Sequence, residues 1–433
     1  MLHNISGWGC FPRATSQSCY FEDSDTLRDC LAGTKRIIAR GLGRSYGDSA
    51  IAEKVILTDR FNRFISFDEK IGALTCLAGI TLADVVNVFL PRGWFLPVTP
   101  GTKYVTVGGA IASDVHGKNH HKVGCFSNFI HSLLLMLPDG RVMTCSREEN
   151  AELFRATCGG MGLTGVILQA ELQLKPVTSA FIEEEVLVTR NIYETVDLFE
   201  ALGWAEYSVA WIDAIAGGAN RGRSIVMIGH HADHGDFSHH QRYKMSVPLD
   251  IPGFFLNKYT GLLFNSFFYA LSSQDNKRLR HVEHFFYPLD VVDNWNRLYG
   301  RKGFIQYQFV LPKISALEGL GAVLSKMSRA GQVSFLTVLK LLGPSNDNYL
   351  SFPLEGYTMA LDFALKPSLF LLLNELDRVV LDHGGRLYLA KDARMPGEMV
   401  AAGYPELKSF LDIRRRFGLK DRIESQQSLR LGI

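Results

Sequence analysis

Arg40-Gly-Leu-Gly-Arg-Ser-Tyr-Gly-Asp48 is the stretch that decides the fold of this chain. It follows a short apolar run at Ile37 and Ile38, so the sequence predicts a strand that ends in a glycine-rich loop. Glycine lets main-chain N–H groups approach a ligand where a Cβ would collide, and successive N–H groups form a concave anion site. A diphosphate suits such a loop. Ordinary turn chemistry explains this stretch equally well when it is taken alone.

Two further glycine-rich segments support the diphosphate interpretation. Residues 97–102 read Pro-Val-Thr-Pro-Gly-Thr and are followed by 107–121, Val-Gly-Gly-Ala-Ile-Ala-Ser-Asp-Val-His-Gly-Lys-Asn-His-His. Gly160, Gly162 and Gly165 then form a Gly-x-Gly-x-x-Gly motif. A nicotinamide-binding Rossmann motif needs a strand before it and a helix after it. The sequence predicts a helix before it at 151–157 and a strand after it at 166–174, so we reject that fold.

Composition narrows the class of protein. The formal charge of +2 over 433 residues does not favour a nucleic-acid partner. Seven cysteines without CxxC spacing indicate neither a disulfide framework nor a zinc site, and we expect no metal at the histidines between 230 and 240. With no secretory leader or bilayer-spanning run recognisable, we expect a cytoplasmic protein, with peripheral contact at the inner membrane left open.

The second half of the chain has a different sequence pattern. Glycine clusters stop near residue 178, and the pattern predicts one large antiparallel sheet with helices on one face, which is an α+β arrangement. The predicted strands are 186–189, 207–212, 224–228, 283–287, 303–311, 335–341, 358–363 and 386–391. The predicted helices are 193–202, 314–330, 369–381 and 406–417. We therefore predict domains at 1–177 and 178–385, with a C-terminal return at 386–433.

One aromatic-rich segment stands apart. Between Asp250 and Asp275 the only other charged residue is Lys258, while ten large apolar residues crowd the same span. Pro252 and the glycines interrupt the pattern, so we do not expect a regular helix. Residues 251–271 could pack in the core or form an apolar flap that touches lipid or a lipid-tailed substrate.

The three glycine segments, the mixed second domain and the C-terminal return together resemble FAD-binding proteins of the vanillyl-alcohol oxidase type. Within that family, the resemblance is to the oxidase subunits of decaprenylphosphoryl-β-D-ribose 2-epimerases, and it covers nearly the whole chain. Its most specific parts are the His-Gly-Lys-Asn-His-His run at 116–121, Phe-Ile-Gln-Tyr-Gln-Phe at 304–309 and Ala-Lys-Asp at 390–392. The resemblance implies a two-subdomain FAD-binding domain with a cap domain over the flavin.

The resemblance also implies the site. The implied cofactor-binding residues are Gly41, Leu42, Gly43, Arg44, Ser45, Tyr46, Gly47, Pro100, Gly101, Thr102, Thr106, Val107, Gly109, Ser113, His116, Gly117, Asn119, His120, Thr157, Gly160, Gly162, Thr164, Gly165, Val166 and Lys391. Several relatives attach the flavin through a histidine at the position of Arg44. Arginine cannot form that bond, so we expect FAD to be held noncovalently.

Oxidation of an alcohol needs a group that accepts the hydroxyl proton and donors that hold the substrate. The implied catalytic residues are Lys391, His116, Gln308 and Tyr46. The implied substrate-binding residues are Trp211, Tyr287, Arg297, Gln306, Gln308, Lys340 and Tyr388. Gln306 and Gln308 lie two apart on a predicted strand and so face the same side, where buried amides need partners.

The resemblance implies oxidation of the 2-hydroxyl of a polyprenylphosphoryl-β-D-ribose to a 2-keto intermediate, the first half of an epimerisation that a separate NAD(P)-dependent reductase completes. Ala360 and Thr358 stand where some relatives have cysteine and asparagine, which puts the affinity for the sugar in doubt. Two alternatives stay open: an FAD-dependent oxidase of a soluble alditol or aldonolactone, and a flavin-free sugar-binding module.

Overall fold

The structure is a computed structural model that describes residues 2–237, 245–250, 257–272 and 277–433. Its N-terminal part contains two main sheets, which confirms the two-subdomain prediction. The strands are β1 Leu2–Ser6, β2 Arg13–Tyr20, β3 Ile37–Arg40, β4 Lys54–Leu57, β5 Phe64–Asp68, β6 Ala73–Leu77, β7 Trp94–Phe95, β8 Ile130–Met136, β9 Val142–Ser146, β10 Val166–Gln173 and β11 Lys175–Pro176. The helices are α1 Ser24–Leu31, α2 Leu82–Phe89, α3 Val107–Ala112, α4 His120–Val123 and α5 Ala151–Thr157.

The strands of the two sheets determine where the glycine loops begin and end. The first sheet has the strand order β1-β2-β4-β3, and the first glycine loop leaves the end of β3 at Arg40. The second is antiparallel with the order β5-β6-β10-β8-β9. The third glycine segment joins α5 to β10, so the helix comes first, as predicted. This order is the opposite of a Rossmann unit.

The C-terminal part is built on one eight-stranded antiparallel sheet, which confirms the predicted α+β class. Its strands are β12 Phe181–Thr189, β13 Tyr207–Ile212, β14 Ser224–His231, β16 Lys277–His281, β18 Phe304–Pro312, β19 Thr337–Leu342, β20 Gly356–Ala364 and β21 Arg386–Leu387, with β15 Met245–Ser246 and β17 Val292–Asp293 paired separately. The helices are α6 Ile192–Ala201, α7 Lys258–Leu271, α8 Val282–Phe286, α9 Lys313–Ala330, α10 Pro367–Asp382, α11 Gly397–Gly403, α12 Leu407–Arg416 and α13 Gln426–Leu431.

The large sheet has two unlike faces because successive side chains in a strand point to opposite sides. In the order β16-β12-β14-β13-β19-β20-β18-β21, one face packs against α6, α9 and α10. On β18, the hydroxyl of Tyr307 donates to Asp377 of α10 at 3.1 Å on that face. Gln306 and Gln308, the strand neighbours of Tyr307, point to the opposite face, which looks toward the glycine loops.

Three sequence-based assignments are corrected. Residues 283–287, predicted as a strand, lie in or just after helix α8, whose first turn is capped by His281. Residues 386–391 give only the two-residue strand β21, followed by a 3-10 helix at Leu389–Lys391. The aromatic-rich segment contains a regular helix, α7, capped by Asn257, in which buried Gly261 packs close to Val333. Residues 251–256 and 273–275 of that segment, with His239 and His240, lie outside the described residues.

The cysteine prediction also needs correction at one pair. Cys19 on β2 and Cys30 on α1 form a disulfide, with their Cα atoms 6.4 Å apart. That separation falls within the range that a disulfide can bridge. The sequence does not indicate this pair because strand β2 and helix α1 bring it together by packing, with no diagnostic spacing.

Candidate active site

A cavity of about 740 Å³ lies between the glycine loops and the open face of the large sheet. This volume is at the upper end of the roughly 300–1,000 Å³ typical of small-molecule sites. The following predicted residues line it: Gly41, Leu42, Gly43, Arg44, Ser45, Tyr46, Pro100, Gly101, Thr102, Thr106, Gly109, Ser113, His116, Gly162, Gly165, Lys391, Trp211, Gln306, Gln308, Lys340 and Tyr388. The structure therefore brings all three glycine segments and the predicted sugar-binding strand to one site.

The first glycine loop offers unpaired main-chain donors to this cavity. Within the described residues, the N–H groups from Leu42 to Ser45 donate no hydrogen bond to protein. Gly43 has a φ of +63°, in the left-handed region that glycine adopts without strain. At Gly41 a Cβ would come within 2.5 Å of the Thr106 hydroxyl, so the two glycine segments touch directly. Free donors in a concave loop suit the diphosphate of a dinucleotide.

Arg44 is held in place beside this loop. Its guanidinium carbon lies 4.0 Å from the centroid of the Trp8 ring and 5.6 Å from that of Tyr104. Burial lowers the pKa of Arg44, with Asp290 opposing the effect, and the group stays charged at any physiological pH. A stacked cation at this point adds charge complementarity for an anionic cofactor.

His116 connects the FAD-binding part to the large sheet. Its Nε2 lies 3.1 Å from Nε2 of Gln308, which also donates to the Thr358 hydroxyl at 3.2 Å. Burial lowers the pKa of His116 well below its usual value, and Lys340 lowers it further. The ring is therefore neutral, with Nε2 as acceptor and the proton on Nδ1. That Nδ1 is buried without a hydrogen-bond partner in the described part of the chain. Buried polar groups are normally hydrogen-bonded, so this Nδ1 is available to donate to a ligand.

The half-buried Lys391 and the buried Asp362 lie near each other and form a second group of the site. The Nζ of Lys391 lies 3.9 Å from the centroid of the Tyr46 ring, and burial lowers its pKa while Asp362 opposes the change. Asp362 is fully buried and accepts a hydrogen bond from Nε2 of Gln306 at 2.6 Å. Burial raises the pKa of this carboxyl. The pair can therefore hold or release a proton near neutral pH, which is a property of general acid–base sites.

Other predicted residues do not reach the cavity: Gly47, Val107, Gly117, Asn119, His120, Thr157, Gly160, Thr164, Val166, Tyr287 and Arg297. Several support its walls. Tyr287 hydrogen-bonds the lining residue Thr99 at 2.7 Å, and the hydroxyls of Thr157 and Thr164 pair at 3.0 Å. Arg297 is exposed and donates to the main-chain carbonyls at 247 and 248, and its role in substrate binding stays a prediction.

Sequence reasoning missed several charged residues of the site, among them Asp362, Lys118 and Glu184. Asp362 lies two residues beyond Ala360 on β20, so the alternation of the strand could have revealed it. Lys118 lies inside the quoted His-Gly-Lys motif, and Glu184 lies on β12; both line the cavity. No local pattern identifies Glu184, because its position depends on how β12 pairs within the sheet.

Comparison with known proteins agrees with this geometry. The sequence profile described as the FAD binding domain matches residues 22–146. Decaprenylphosphoryl-β-D-ribose oxidase of Mycolicibacterium smegmatis is 37% identical over 430 residues, which cover 95% of this chain and 93% of the relative. An uncharacterised Streptomyces coelicolor protein from the mprA 5′ region is 32% identical over 381 residues, which cover 82% of this chain and 100% of the relative. L-gulonolactone oxidase of Bos taurus is 31% identical over 190 residues, which cover 41% of this chain and 42% of the relative.

The chain therefore belongs to the FAD-dependent oxidoreductases of the vanillyl-alcohol oxidase type, a family whose members act on CH–OH groups. Within that family, it is similar over almost its entire length to decaprenylphosphoryl-β-D-ribose oxidase. The unpaired N–H groups of the first loop and the lone Nδ1 of His116 fit a bound flavin dinucleotide.

A substitution at Gly101 tests whether the cavity holds the cofactor. A Cβ at Gly101 would meet no protein atom within 4 Å, so Gly101→Leu should leave the free energy of unfolding within about 1 kcal/mol of the native value. Its side chain would compete with the cofactor for space, and we expect the FAD content of the purified protein, measured by flavin absorbance, to fall strongly. Gly321→Leu is the control, because Gly321 on α9 is equally uncrowded but lies outside the cavity lining. Full FAD content in both variants would contradict this assignment.

Proposed function

We propose that this protein oxidises the 2-hydroxyl of a polyprenylphosphoryl-β-D-ribose to the ketone. The product would be the intermediate of an epimerisation to the arabinose form, completed by a separate NAD(P)-dependent reductase. The observation that carries the proposal is the pair Gln306 and Gln308, two buried amides that face the same cavity as the glycine loops and Lys391. The extensive similarity to decaprenylphosphoryl-β-D-ribose oxidase supports the choice of substrate.

Conversion of a secondary alcohol to a ketone removes a hydride equivalent from carbon and a proton from oxygen. FAD, when bound, supplies the two-electron acceptor. Lys391 is the proposed proton acceptor, because burial lowers its pKa and makes its neutral form available. Asp362 would position Gln306 through their 2.6 Å hydrogen bond, and Gln308, held by His116 and Thr358, would bind a second hydroxyl.

Anaerobic flavin reduction by defined substrates tests the reaction. We expect a short-chain polyprenylphosphoryl ribose to bleach the flavin, while its 2-deoxy analogue, a free alditol and an aldonolactone do not. Lys391→Ala should slow bleaching by about 10²- to 10⁴-fold, the usual contribution of a general base. In the native protein the rate should rise with pH as Lys391 loses its proton, and the variant should lack that rise.

Lys408→Ala is the control, since Lys408 is an exposed lysine on α12 outside the cavity. Bleaching by the alditol or lactone alone would assign the enzyme to a soluble substrate. A protein that stays colourless after reconstitution with FAD would indicate a sugar-binding module without redox activity. Unchanged bleaching by Lys391→Ala would remove Lys391 from the catalytic group.

We also propose that the flavin is noncovalent. At the first-loop position where several relatives attach the flavin, this chain has Arg44, whose guanidinium stacks on Trp8 and carries no nucleophile for the flavin. Acid precipitation should therefore leave all yellow colour in the supernatant, as intact FAD by chromatography. Flavin that stays with the protein pellet would overturn this proposal.

The lipid tail of the proposed substrate agrees with the exposed side of α7. Leu263, Phe267 and Leu271 have 74%, 64% and 63% of their surface exposed. Phe268 and Leu271 also line the cavity, so the cavity opens at this apolar surface. In the described parts of the chain, no helix has the length and apolar character needed to cross a bilayer. We propose that α7 instead rests on a membrane surface, where a tailed substrate can enter the cavity directly.

Vesicle sedimentation tests this contact. We expect the native protein to sediment with vesicles that contain anionic phospholipid, because Lys277, Arg278 and Arg280 follow α7 in the sequence. The double variant L263E/F267E should bind at least about tenfold more weakly, since two large apolar side chains contribute roughly 1.5–3 kcal/mol each when buried. Leu371→Glu, which changes an exposed leucine on α10, is the control. Equal binding by all three proteins would exclude α7 as the contact.

A further inference from the structure

The cavity concentrates positive charge in an almost neutral chain. The whole sequence has a formal charge of only +2. Of the lining side chains that are charged at neutral pH in solution, six are basic and two acidic: Arg44, Lys118, Arg278, Arg280, Lys340 and Lys391 against Glu184 and Asp290. Such a surplus in an enclosed site favours an anionic ligand. Arg44 belongs to the first glycine loop, whereas Lys340 lies on strand β19 of the large sheet and Lys118 lies in the histidine-rich motif.

Lys340 forms no ion pair with a carboxylate among the residues that the structure describes. It lies on β19, on the cavity face of the sheet, directly opposite Thr358 of β20. Burial lowers the pKa of Lys340 to about 8. A buried cation without a partner is costly. A ligand anion would remove that cost.

Lys118 approaches the same region from the FAD-binding part. Its main-chain carbonyl accepts from the N–H of Ser208, and its ammonium group donates to the Phe285 carbonyl and lies 4.2 Å from the centroid of the Phe285 ring. Burial lowers its pKa to about 7, Glu184 opposes the change and Lys340 adds to it. An ammonium group has three donors, so Lys118 keeps donors for a ligand.

The polarity of the sheet face changes in a fixed order. Gln308 lies opposite Ala360, which lies opposite Val338; the row then continues through Trp211 and Ile225. Lys340 follows Val338 by two residues on the same strand and face, next to Thr358, whose hydroxyl contacts Gln308. Strands are about 4.8 Å apart, so Lys340 is roughly 10 Å from the Gln308 strand, within reach of a long side chain. Across this face of the sheet, the amide of Gln308 comes first, the ammonium group of Lys340 next, and the apolar side chains of Val338, Trp211 and Ile225 last.

We propose that Lys340 and Lys118 form the binding site for the phosphate that joins the sugar to its isoprenoid chain. The sugar would lie at Gln306 and Gln308, the phosphate between the two ammonium groups, and the first isoprene units on Val338, Trp211 and Ile225. The order of groups along the sheet is then the order of groups along the substrate. This inference rests on the proposed function for the identity of the substrate, but the site recognises any isoprenoid phosphate.

Calorimetric titration of the FAD-loaded protein with farnesyl phosphate and with farnesol tests the site without any oxidation. We expect Lys340→Met and Lys118→Met each to weaken farnesyl phosphate binding by roughly 10- to 100-fold, the usual value of a hydrogen bond to a charged group. Farnesol should bind equally to native and variant proteins. Lys340→Arg should restore part of the affinity, because it restores the charge.

Lys122→Met is the matched control, because Lys122 is an exposed lysine on α4, four residues after Lys118, outside the cavity lining. Unchanged farnesyl phosphate binding in both cavity variants, or no binding by the native protein, would overturn the site. Equal loss of farnesol would show that the lysines only shape the cavity, and loss of FAD from Lys340→Met would assign that lysine to the flavin. If phosphate binding follows the lysines but the sugar substrate fails to bleach the flavin, the proposed function fails and the phosphate site stands.

Discussion

The active site depends on one buried carboxylate that joins the two parts of the protein. Asp114 is fully buried, and its oxygens accept hydrogen bonds from the N–H of Ser127 at 3.1 Å, Nδ2 of Asn346 at 2.7 Å, Nδ2 of Asn348 at 3.0 Å and the hydroxyl of Ser351 at 2.6 Å. Burial of a carboxylate is unfavourable unless such donors surround it. Hydrogen bonds to a charged group contribute roughly 1.5–3 kcal/mol each, so four can offset the desolvation.

These contacts explain why the histidine-rich motif lies where it does. Three of the donors come from the loop that follows β19 in the large sheet, whereas Asp114 lies just before His116 in the FAD-binding part. The same loop donates from the N–H of Gly343 to Nδ1 of His120 at 3.1 Å. His120 thus links the histidine-rich motif to the loop that follows β19.

The sequence predicts the parts of the site that depend on local rules. The glycine loops follow from backbone chemistry, and the shared face of Gln306 and Gln308 follows from strand alternation. Residues 283–287 were wrongly predicted because their aromatic side chains favour a strand in isolation, yet the segment folds as α8 against the large sheet. Strand alternation on β20 could have indicated Asp362, whereas Glu184 required the pairing of distant strands, which no local pattern contains.

The side chains that line the cavity carry a surplus of positive charge, and this surplus favours anionic ligands. In the described part of the chain Lys340 forms no ion pair with a carboxylate, and Lys391 lies near Asp362, which accepts a hydrogen bond from Gln306. The protein therefore keeps two ammonium groups in surroundings that lower their pKa. Replacing them by apolar residues would improve packing stability, which is the usual result for buried charges. Under the proposals made above, a bound phosphate would complete the surroundings of Lys340. Cofactor and substrate then act as structural parts of the protein, and each anion that binds stabilises the folded state in proportion to its affinity.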